Sequence, residues 1–183
     1  IITVLKTTVH QKTLESIVRK DLFTGLNSAE YLYGEGKQLI DRHTMSTMCM
    51  FRIVNIEEIN QKFCRELGNK VITKIAEHIQ DNISKDYIFV RYMGPKFVIA
   101  FSGVEIEDVA RFLNDIKSQI EELVIKLNDD EDEIESEDLG EQEVKTKKKS
   151  KAKKKMIMEV SPKLNFVIST YYKGTGIEEL LKR

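Results

Sequence analysis

The chain has 183 residues, a length that suits one domain with short additions. Its 29 Lys and Arg residues nearly balance 30 Asp and Glu residues, and a net charge of -1 argues against general affinity for nucleic acids or membrane surfaces. Hydrophobic residues reach 41%, enough for a core, but no apolar run approaches the roughly 18 residues of a membrane-spanning helix. Cys49 and Cys64 lack the spacing of metal or redox sites, so we interpret them as structural thiols in a reducing cytoplasm.

Residues 1–20 have the pattern of a helix, with an imperfect apolar stripe formed by Leu5, Val9, Leu14, Ile17 and Val18. A stripe this short fits two interpretations equally well. One is a signalling helix that pairs in a homodimer, and the other is a linker that packs on the domain. We therefore assign 1–20 to an N-terminal signalling or linker helix and 21–183 to the domain proper. A second helix is expected over 28–42, weakened by Gly34 and Gly36.

The middle of the chain alternates strand and helix signals. The apolar run 47–54 predicts a buried strand, and Asn55 with Glu58 three residues later is a capping-box variant that opens a helix. We expect that helix to break near Cys64. A second helix follows, whose apolar face consists of Leu67, Val71, Ile72, Ile75, Ile79 and Ile83.

Two further strands, 87–93 and 96–101, are separated only by Gly94 and Pro95 and therefore predict a hairpin. Ser102 with Glu105 indicates the start of a long amphipathic helix. A last strand, 164–172, precedes a third capping signal, Thr175 with Glu178, and a closing helix. The order of elements (βααββαβ) predicts an α+β, ferredoxin-like fold with an antiparallel-containing sheet and helices on one face.

The segment 128–155 interrupts this order with an acidic half (NDDEDEIESEDLGEQE) and a lysine-rich half (KTKKKSKAKKK). Neither half has enough apolar surface to fold, so we predict a disordered charged insert. The alternative is a lysine patch for an acidic partner, RNA or a membrane surface, for which the neighbouring acidic block would compete.

Several short segments resemble GGDEF domains, the family of the diguanylate cyclases, in the same order and spacing. DLFTGL at 21–26 resembles the family's Asp-x-Leu-Thr-Gly-Leu segment. FRIVNIEEINQKFCRELGNKVI resembles DLDxFKxINDxxGHxxGDxxL, and RYMGPKF stands where the family has RxGGDEF. LNFVIST and GIEELLKR resemble its late strand and the start of its closing helix. The resemblance covers about residues 15–183 apart from the insert and implies a nucleotide-cyclase-type fold.

The same comparison implies that the catalytic machinery is degenerate. In the family, two divalent metals are bound by an Asp at the end of the first strand and by an acidic residue of the GGDEF turn. The Asp corresponds to Arg52, and the third and fourth residues of the turn, both acidic in the family, correspond to Pro95 and Lys96. The third is the family's metal ligand, and none of the three residues here can coordinate Mg²⁺. The family's phosphate-binding Lys corresponds to Glu57, which would repel a triphosphate.

Other functional positions of the family are partly kept. The residues that read guanine correspond to Asn60, which is the family's residue, and to Asn69, where the family has Asp. The resemblance therefore leaves Asn60 and Asn69 as candidate nucleotide-binding residues. The Arg-x-x-Asp motif for product inhibition corresponds to Ser84 and Tyr87, so that site is absent.

Two interpretations of Arg52 remain open from the sequence. Arg52 either pairs with a nearby carboxylate, which would make it unremarkable, or it joins Lys96 in a new basic pocket for an anion. Two cations that face one cleft would repel each other unless something acidic neutralises them.

We expect a catalytically inactive regulatory or interaction domain, linked to cyclic dinucleotide signalling and located in the cytoplasm, or in the cytoplasmic part of a membrane-bound sensor. The alternatives are a GTP-binding allosteric module without turnover and a residual diguanylate cyclase. We expect no cofactor or bound metal, no specific nucleic acid and no membrane contact by this fragment. The expected partners are a protein, or a second copy through the N-terminal helix, with weak nucleotide binding at most.

Overall fold

A computed structural model describes residues 19–127 and 158–181 of the chain. Residues 1–18 of the predicted N-terminal helix and the charged insert predicted at 128–155 lie outside the described residues, and both remain predictions. Arg19 and Lys20, the last two residues assigned to that helix, are not helical, since Lys20 forms an isolated bridge with Asn27.

The described chain alternates short and long elements around one main sheet. The strands are, in chain order, β1 (Asn27–Ser28), β2 (Met45–Ile53), β3 (Ile88–Met93), β4 (Lys96–Ser102), β5 (Ile125–Leu127), β6 (Met158–Val160) and β7 (Leu164–Tyr172). The helices are α1 (Ala29–Tyr31), α2 (Lys37–Ile40), α3 (Ile56–Lys62), α4 (Arg65–Asn82), α5 (Ile106–Glu122) and α6 (Ile177–Leu181). A π-helical segment, Leu32–Gly36, joins α1 to α2, so the region predicted as a helix over 28–42 is helical throughout most of its length.

The main sheet has five strands in the order β1-β3-β4-β2-β7. Neighbouring strands are antiparallel except for β1 and β3, which are parallel. The four long strands have the ferredoxin-like order, which confirms the predicted fold class. Gly94 and Pro95 lie at the tip of the β3–β4 hairpin, as predicted.

Helices cover both faces of the sheet, so the expectation of helices on one face was wrong. Side chains alternate along β2, and Cys49 and Phe51 belong to one buried cluster while Met48 and Met50 belong to the other. The first cluster contains the apolar faces of α3, α4 and α5, and the second contains residues of the α1–α2 region and α6. Because both faces of the central strand are apolar, both need a cover.

Two predicted helix caps do not form. The side chain of Asn55 makes no capping bond, because its amide donates to the carbonyl of Ser161 and its oxygen accepts from the N–H of Lys163. The helix expected to start at Ser102 begins at Ile106, with Glu105 at its N-cap. Local sequence spacing does not show that Asn55 has these tertiary partners. The predicted break of the helix near Cys64 is confirmed, because α3 ends at Lys62 and α4 begins at Arg65.

A small antiparallel hairpin, β5–β6, was not predicted. Ile125 and Val160 from its two strands are buried in the first cluster, and Lys126 and Glu159 form an ion pair of 2.7 Å. Three residues per strand, separated by the charged insert, give too short a pattern to recognise. In the described part of the chain, no helix combines the length and hydrophobicity that a bilayer crossing requires.

Candidate functional site

The end of β2 and the start of β4 place the two predicted cations side by side. Arg52 is the cross-strand partner of Lys96, and the N–H of Ile53 donates to the carbonyl of Pro95 across 3.1 Å. That bonding pattern makes Arg52 and Lys96 a non-hydrogen-bonded pair, the type in which opposite side chains approach most closely. The strands therefore bring together the two residues of the basic pocket that the sequence offered as an alternative, and binding of an anion there stays a prediction.

The turn between β3 and β4 is specified by its two residues. Gly94 has a φ of +55°, which a glycine adopts without steric cost, and Pro95 follows with a φ restricted to about -65°. A two-residue hairpin loop commonly requires a positive φ at its first residue, which is the position that Gly94 occupies. The turn needs no carboxylate, so its geometry survives the replacement of the acidic residues that the family resemblance implies.

Arg52 does not form the carboxylate pair that the sequence left open. Within residues 19–127 and 158–181, neither Arg52 nor Lys96 takes part in an ion pair. Arg52 is exposed, and Lys96 is half-buried. No described carboxylate is therefore the partner of Arg52, whose neighbour across the strands is the second cation, Lys96.

A divalent metal pair does not fit this position. Mg²⁺ takes oxygen ligands, chiefly carboxylates, and a guanidinium, a pyrrolidine ring and an ammonium offer none. The described part of the chain also contains no group of three or more His, Cys, Asp or Glu residues arranged to hold a metal ion. Glu57, in the first turn of α3, is exposed.

The candidate nucleotide-binding residues lie at the break between α3 and α4. Asn60 projects from α3 against Gly68 of α4, so closely that a Cβ atom at residue 68 would be 1.8 Å from the Asn60 Oδ1. Asn69, the next residue of α4, is half-buried. The side chain of Asn60 thus reaches the turn of α4 that carries Asn69. It can do so because Gly68 has no side chain to block it.

The positions matched to product inhibition make structural contacts. The Ser84 hydroxyl donates to the Asp86 carboxylate over 3.3 Å. The Tyr87 ring packs 5.0 Å from the ring of Phe101. Neither side chain supplies the charge pair that the family's inhibitory motif provides.

A contact between Asp21 and the hairpin was not predicted, although both segments were recognised. Arg91 donates to the Asp21 carboxylate over 3.0 Å and to the carbonyl of Gly94 over 3.0 Å. Its guanidinium also lies 5.0 Å from the Phe23 ring centre. Arg91 therefore connects the 21–26 turn to the hairpin that carries Lys96.

A second polar cluster connects α2 to β7 at the end of the strands opposite to Arg52 and Lys96. The Tyr171 hydroxyl donates to the Asp41 carboxylate over 2.8 Å, and Lys37 lies 2.5 Å from Asp41 and 3.2 Å from the Tyr171 oxygen. Hydrogen bonds from Lys37 and Tyr171 lower the pKa of Asp41. The i, i+4 spacing of Lys37 and Asp41 could have predicted the ion pair between them, but not the contact of either residue with Tyr171.

Comparison with known proteins places the chain in a family. The family described as "Diguanylate cyclase, GGDEF domain" matches residues 18–156. Diguanylate cyclase DosC of Escherichia coli is 27% identical over 90 residues, which are 49% of this chain and 19% of DosC. The chain thus spans less than a fifth of the length of the curated relatives it matches.

Three solved structures share the fold. The coiled coil and GGDEF domain of DgcB from Caulobacter crescentus, in complex with c-di-GMP, has a TM-score of 0.72 at 16% identity and covers 100% of this chain and 84% of that one. The FimX GGDEF domain from Pseudomonas aeruginosa has a TM-score of 0.68 at 11% identity, with 90% and 88% covered. Diguanylate cyclase SiaD from Pseudomonas aeruginosa, in complex with its activator SiaC, has a TM-score of 0.67 at 13% identity, with 99% and 61% covered. The family match and the shared fold agree, and this chain belongs to the GGDEF domain family of the diguanylate cyclases.

Proposed function

We propose that this chain is a GGDEF domain without cyclase activity that acts as a regulatory or interaction module in cyclic di-GMP signalling. The observation that supports the proposal most directly is the cross-strand pairing of Arg52 with Lys96. The family resemblance assigns one metal-binding carboxylate to the position of Arg52 and the other to Pro95, the turn residue directly before Lys96. A cation next to a divalent metal costs energy through like-charge repulsion, and no ligand remains there to offset it.

The expected consequence for catalysis is severe. Phosphoryl transfer depends almost entirely on positioning and on charge stabilisation by metals and cations. Each 1.36 kcal/mol added to the barrier slows the reaction about tenfold, so losing the metals should take turnover below detection. The exposed carboxylate of Glu57, at the position of the family's phosphate-binding Lys, adds further repulsion.

A direct assay tests this proposal. The purified protein is incubated with GTP and either Mg²⁺ or Mn²⁺, and c-di-GMP is measured by chromatography beside an active diguanylate cyclase. We expect no product above the level of a protein-free blank. Product formation that a chelator abolishes would overturn the proposal and establish the alternative of a residual diguanylate cyclase.

A second candidate function, nucleotide binding without turnover, is supported by the placement of Asn60. The Asn60 side chain contacts Gly68, the residue before Asn69, so the two residues that the resemblance assigns to guanine stand on neighbouring helices. Calorimetric titration with GTP, ATP and cyclic di-GMP tests this candidate. Tighter binding of GTP than of ATP would favour it, and equal or absent binding would exclude guanine recognition.

The proposed module acts through partners rather than through a product. SiaD, which shares the fold, was solved with a protein activator, and DgcB was solved with c-di-GMP. We propose a protein partner, or a second copy that pairs through the N-terminal segment 1–20, and we place this action in the cytoplasm, where GTP is available.

A further inference from the structure

We propose that Lys96, Arg52 and Asn165 form a binding site for a chain of linked phosphates that requires no metal ion. This inference shares one assumption with the proposed function, namely that Arg52, Pro95 and Lys96 replace the family's acidic residues. It goes beyond that function by giving the replaced positions a ligand of their own.

The three residues form a continuous row across neighbouring strands. Arg52 on β2 is the cross-strand partner of Lys96 on one side and of Asn165 on the other. Cross-strand partners project from the same face of a sheet. Since adjacent strands are about 4.8 Å apart, the row spans about 10 Å, which is longer than one phosphate group can bridge.

The row is open to a ligand. Arg52 and Asn165 are exposed, and Lys96 is half-buried. The row of Lys96, Arg52 and Asn165 lies on the sheet face of Met50 and Val98. Val98 is part of the second buried cluster, and Met50 packs against that cluster. Glu57 repels a triphosphate that is bound as in the family, where that position contacts the phosphates. It stands on α3, whose apolar residues, Ile56 and Ile59, pack into the first cluster on the face of the sheet opposite to the row.

The charges in this row lack a counterion. Like charges on directly opposite residues of an antiparallel pair destabilise the sheet. Arg52 and Lys96 form such a pair, and in the described part of the chain neither is neutralised by a carboxylate. A bound anion removes this repulsion, so binding should also stabilise the fold.

The three side chains suit phosphate oxygens. A guanidinium binds two oxygens of one phosphate in a fork, an ammonium is a compact positive charge, and an amide adds a neutral N–H donor. Three donor groups over about 10 Å favour a di- or triphosphate chain over a single phosphate. Such a ligand is supplied by a nucleoside triphosphate or by inorganic polyphosphate.

The test is a calorimetric titration of the purified chain at low salt, in the presence of a chelator, with phosphate, pyrophosphate, tripolyphosphate, GTP and ATP. We expect affinity to rise from phosphate to tripolyphosphate. Added Mg²⁺ should weaken tripolyphosphate binding, because the metal neutralises the phosphate oxygens that the cations bind. Equal affinity for GTP, ATP and tripolyphosphate would show that the phosphates alone are recognised, and tighter GTP binding would add a contribution from the base.

Matched variants locate the site. Arg52→Gln and Lys96→Gln should each weaken tripolyphosphate binding about tenfold or more, and Arg52→Lys should retain most of it. Arg42→Gln and Lys173→Gln serve as controls, because both cations are exposed and flank the other ends of β2 and β7. Tripolyphosphate should raise the melting temperature of the unmodified chain and of the controls, but not that of Arg52→Gln.

Three outcomes would overturn the site: no tripolyphosphate binding, binding that requires Mg²⁺, or equal losses in the controls and the site variants. The cyclase assay is independent of these titrations. Absent cyclase activity with absent tripolyphosphate binding would remove only this inference, whereas metal-dependent cyclase activity would remove the proposed function.

Discussion

The carboxylate of Asp21 accepts a hydrogen bond of 3.0 Å from Arg91, a residue 70 positions further along the chain. The same carboxylate accepts bonds from the hydroxyl and the N–H of Thr24, so one side chain both closes the 21–26 turn and attaches it to the hairpin. Burial alone raises the pKa of Asp21, but the hydrogen bonds from Thr24 and Arg91 outweigh it, and the pKa lies below its ordinary value.

The first prediction concerns Asp21→Asn. A carboxyl whose folded pKa is lowered stabilises the fold above its unfolded pKa, about 3.9, and this contribution is lost as the pH falls through the folded value. The substitution should lower the free energy of unfolding by about 1–2 kcal/mol near neutral pH, because it weakens bonds to a partly buried charged pair. Urea denaturation of both proteins between about pH 7 and pH 3 should show the difference shrinking in acid.

Asp115→Asn is the matched control for that experiment. Asp115 is exposed on α5 and forms no ion pair within the described residues. Its replacement should change stability by less than about 0.5 kcal/mol at any pH. A loss in Asp21→Asn that does not depend on pH would mean that packing, and not the charge, makes Asp21 important.

The second prediction concerns Tyr171→Phe. Tyr171 is fully buried, and its hydroxyl donates to Asp41 and lies 3.2 Å from the Lys37 nitrogen. Removing the hydroxyl leaves a lone pair of Asp41 without its donor and should lower the free energy of unfolding by about 1–2 kcal/mol. The neighbouring Tyr172 is 62% exposed, so Tyr172→Phe should be nearly neutral in the same denaturation experiment. Equal effects of the two substitutions would contradict a role for the buried hydroxyl.

Local patterns in the sequence predicted the parts of the site that depend on short-range geometry. Gly94 and Pro95 indicate a two-residue turn, which pairs Met93 with Lys96 and so gives the place of Lys96. The register shift between Arg91 and Met93 that follows was not predicted. The contact of Asp21 with Arg91 escaped prediction because sequence spacing does not report which distant turns meet. The cap expected at Asn55 failed for the same reason, since Ser161 and Lys163 compete for its side chain.

The third prediction concerns Gly68→Ala. The new methyl group would lie 1.8 Å from the Asn60 Oδ1, so the Asn60 side chain must move. Because Asn60 is exposed and its amide is the flexible end of the side chain, the fold should tolerate this, and alanine within α4 offsets part of the cost. Calorimetry should then show weaker GTP binding, if guanine is recognised there, with little change in melting temperature.

Gly34→Ala is the control for that change, because a Cβ at residue 34 meets nothing within 4 Å. GTP affinity should be unchanged in Gly34→Ala. Unaltered GTP binding in Gly68→Ala as well would separate Asn60 from nucleotide recognition, while leaving the phosphate site of Arg52 and Lys96 untouched.

The last prediction restores the family's acidic residues through Arg52→Asp, Pro95→Asp and Lys96→Glu together. The backbone should accept the change, because Gly94 keeps its positive φ and the turn does not depend on a proline at residue 95. Mn²⁺ binding, followed by calorimetry or electron paramagnetic resonance, should appear in the triple variant, since carboxylates then face each other across β2 and β4. Cyclase activity should not appear, because Glu57 still repels a triphosphate, and adding Glu57→Lys should be needed for it.

The control for this triple variant combines Arg42→Asp with Lys173→Glu, which alters net charge almost as much at the other end of the strands. Mn²⁺ binding of equal strength in that control, or c-di-GMP synthesis with Glu57 unchanged, would show that the metal positions assigned to Arg52, Pro95 and Lys96 are wrong.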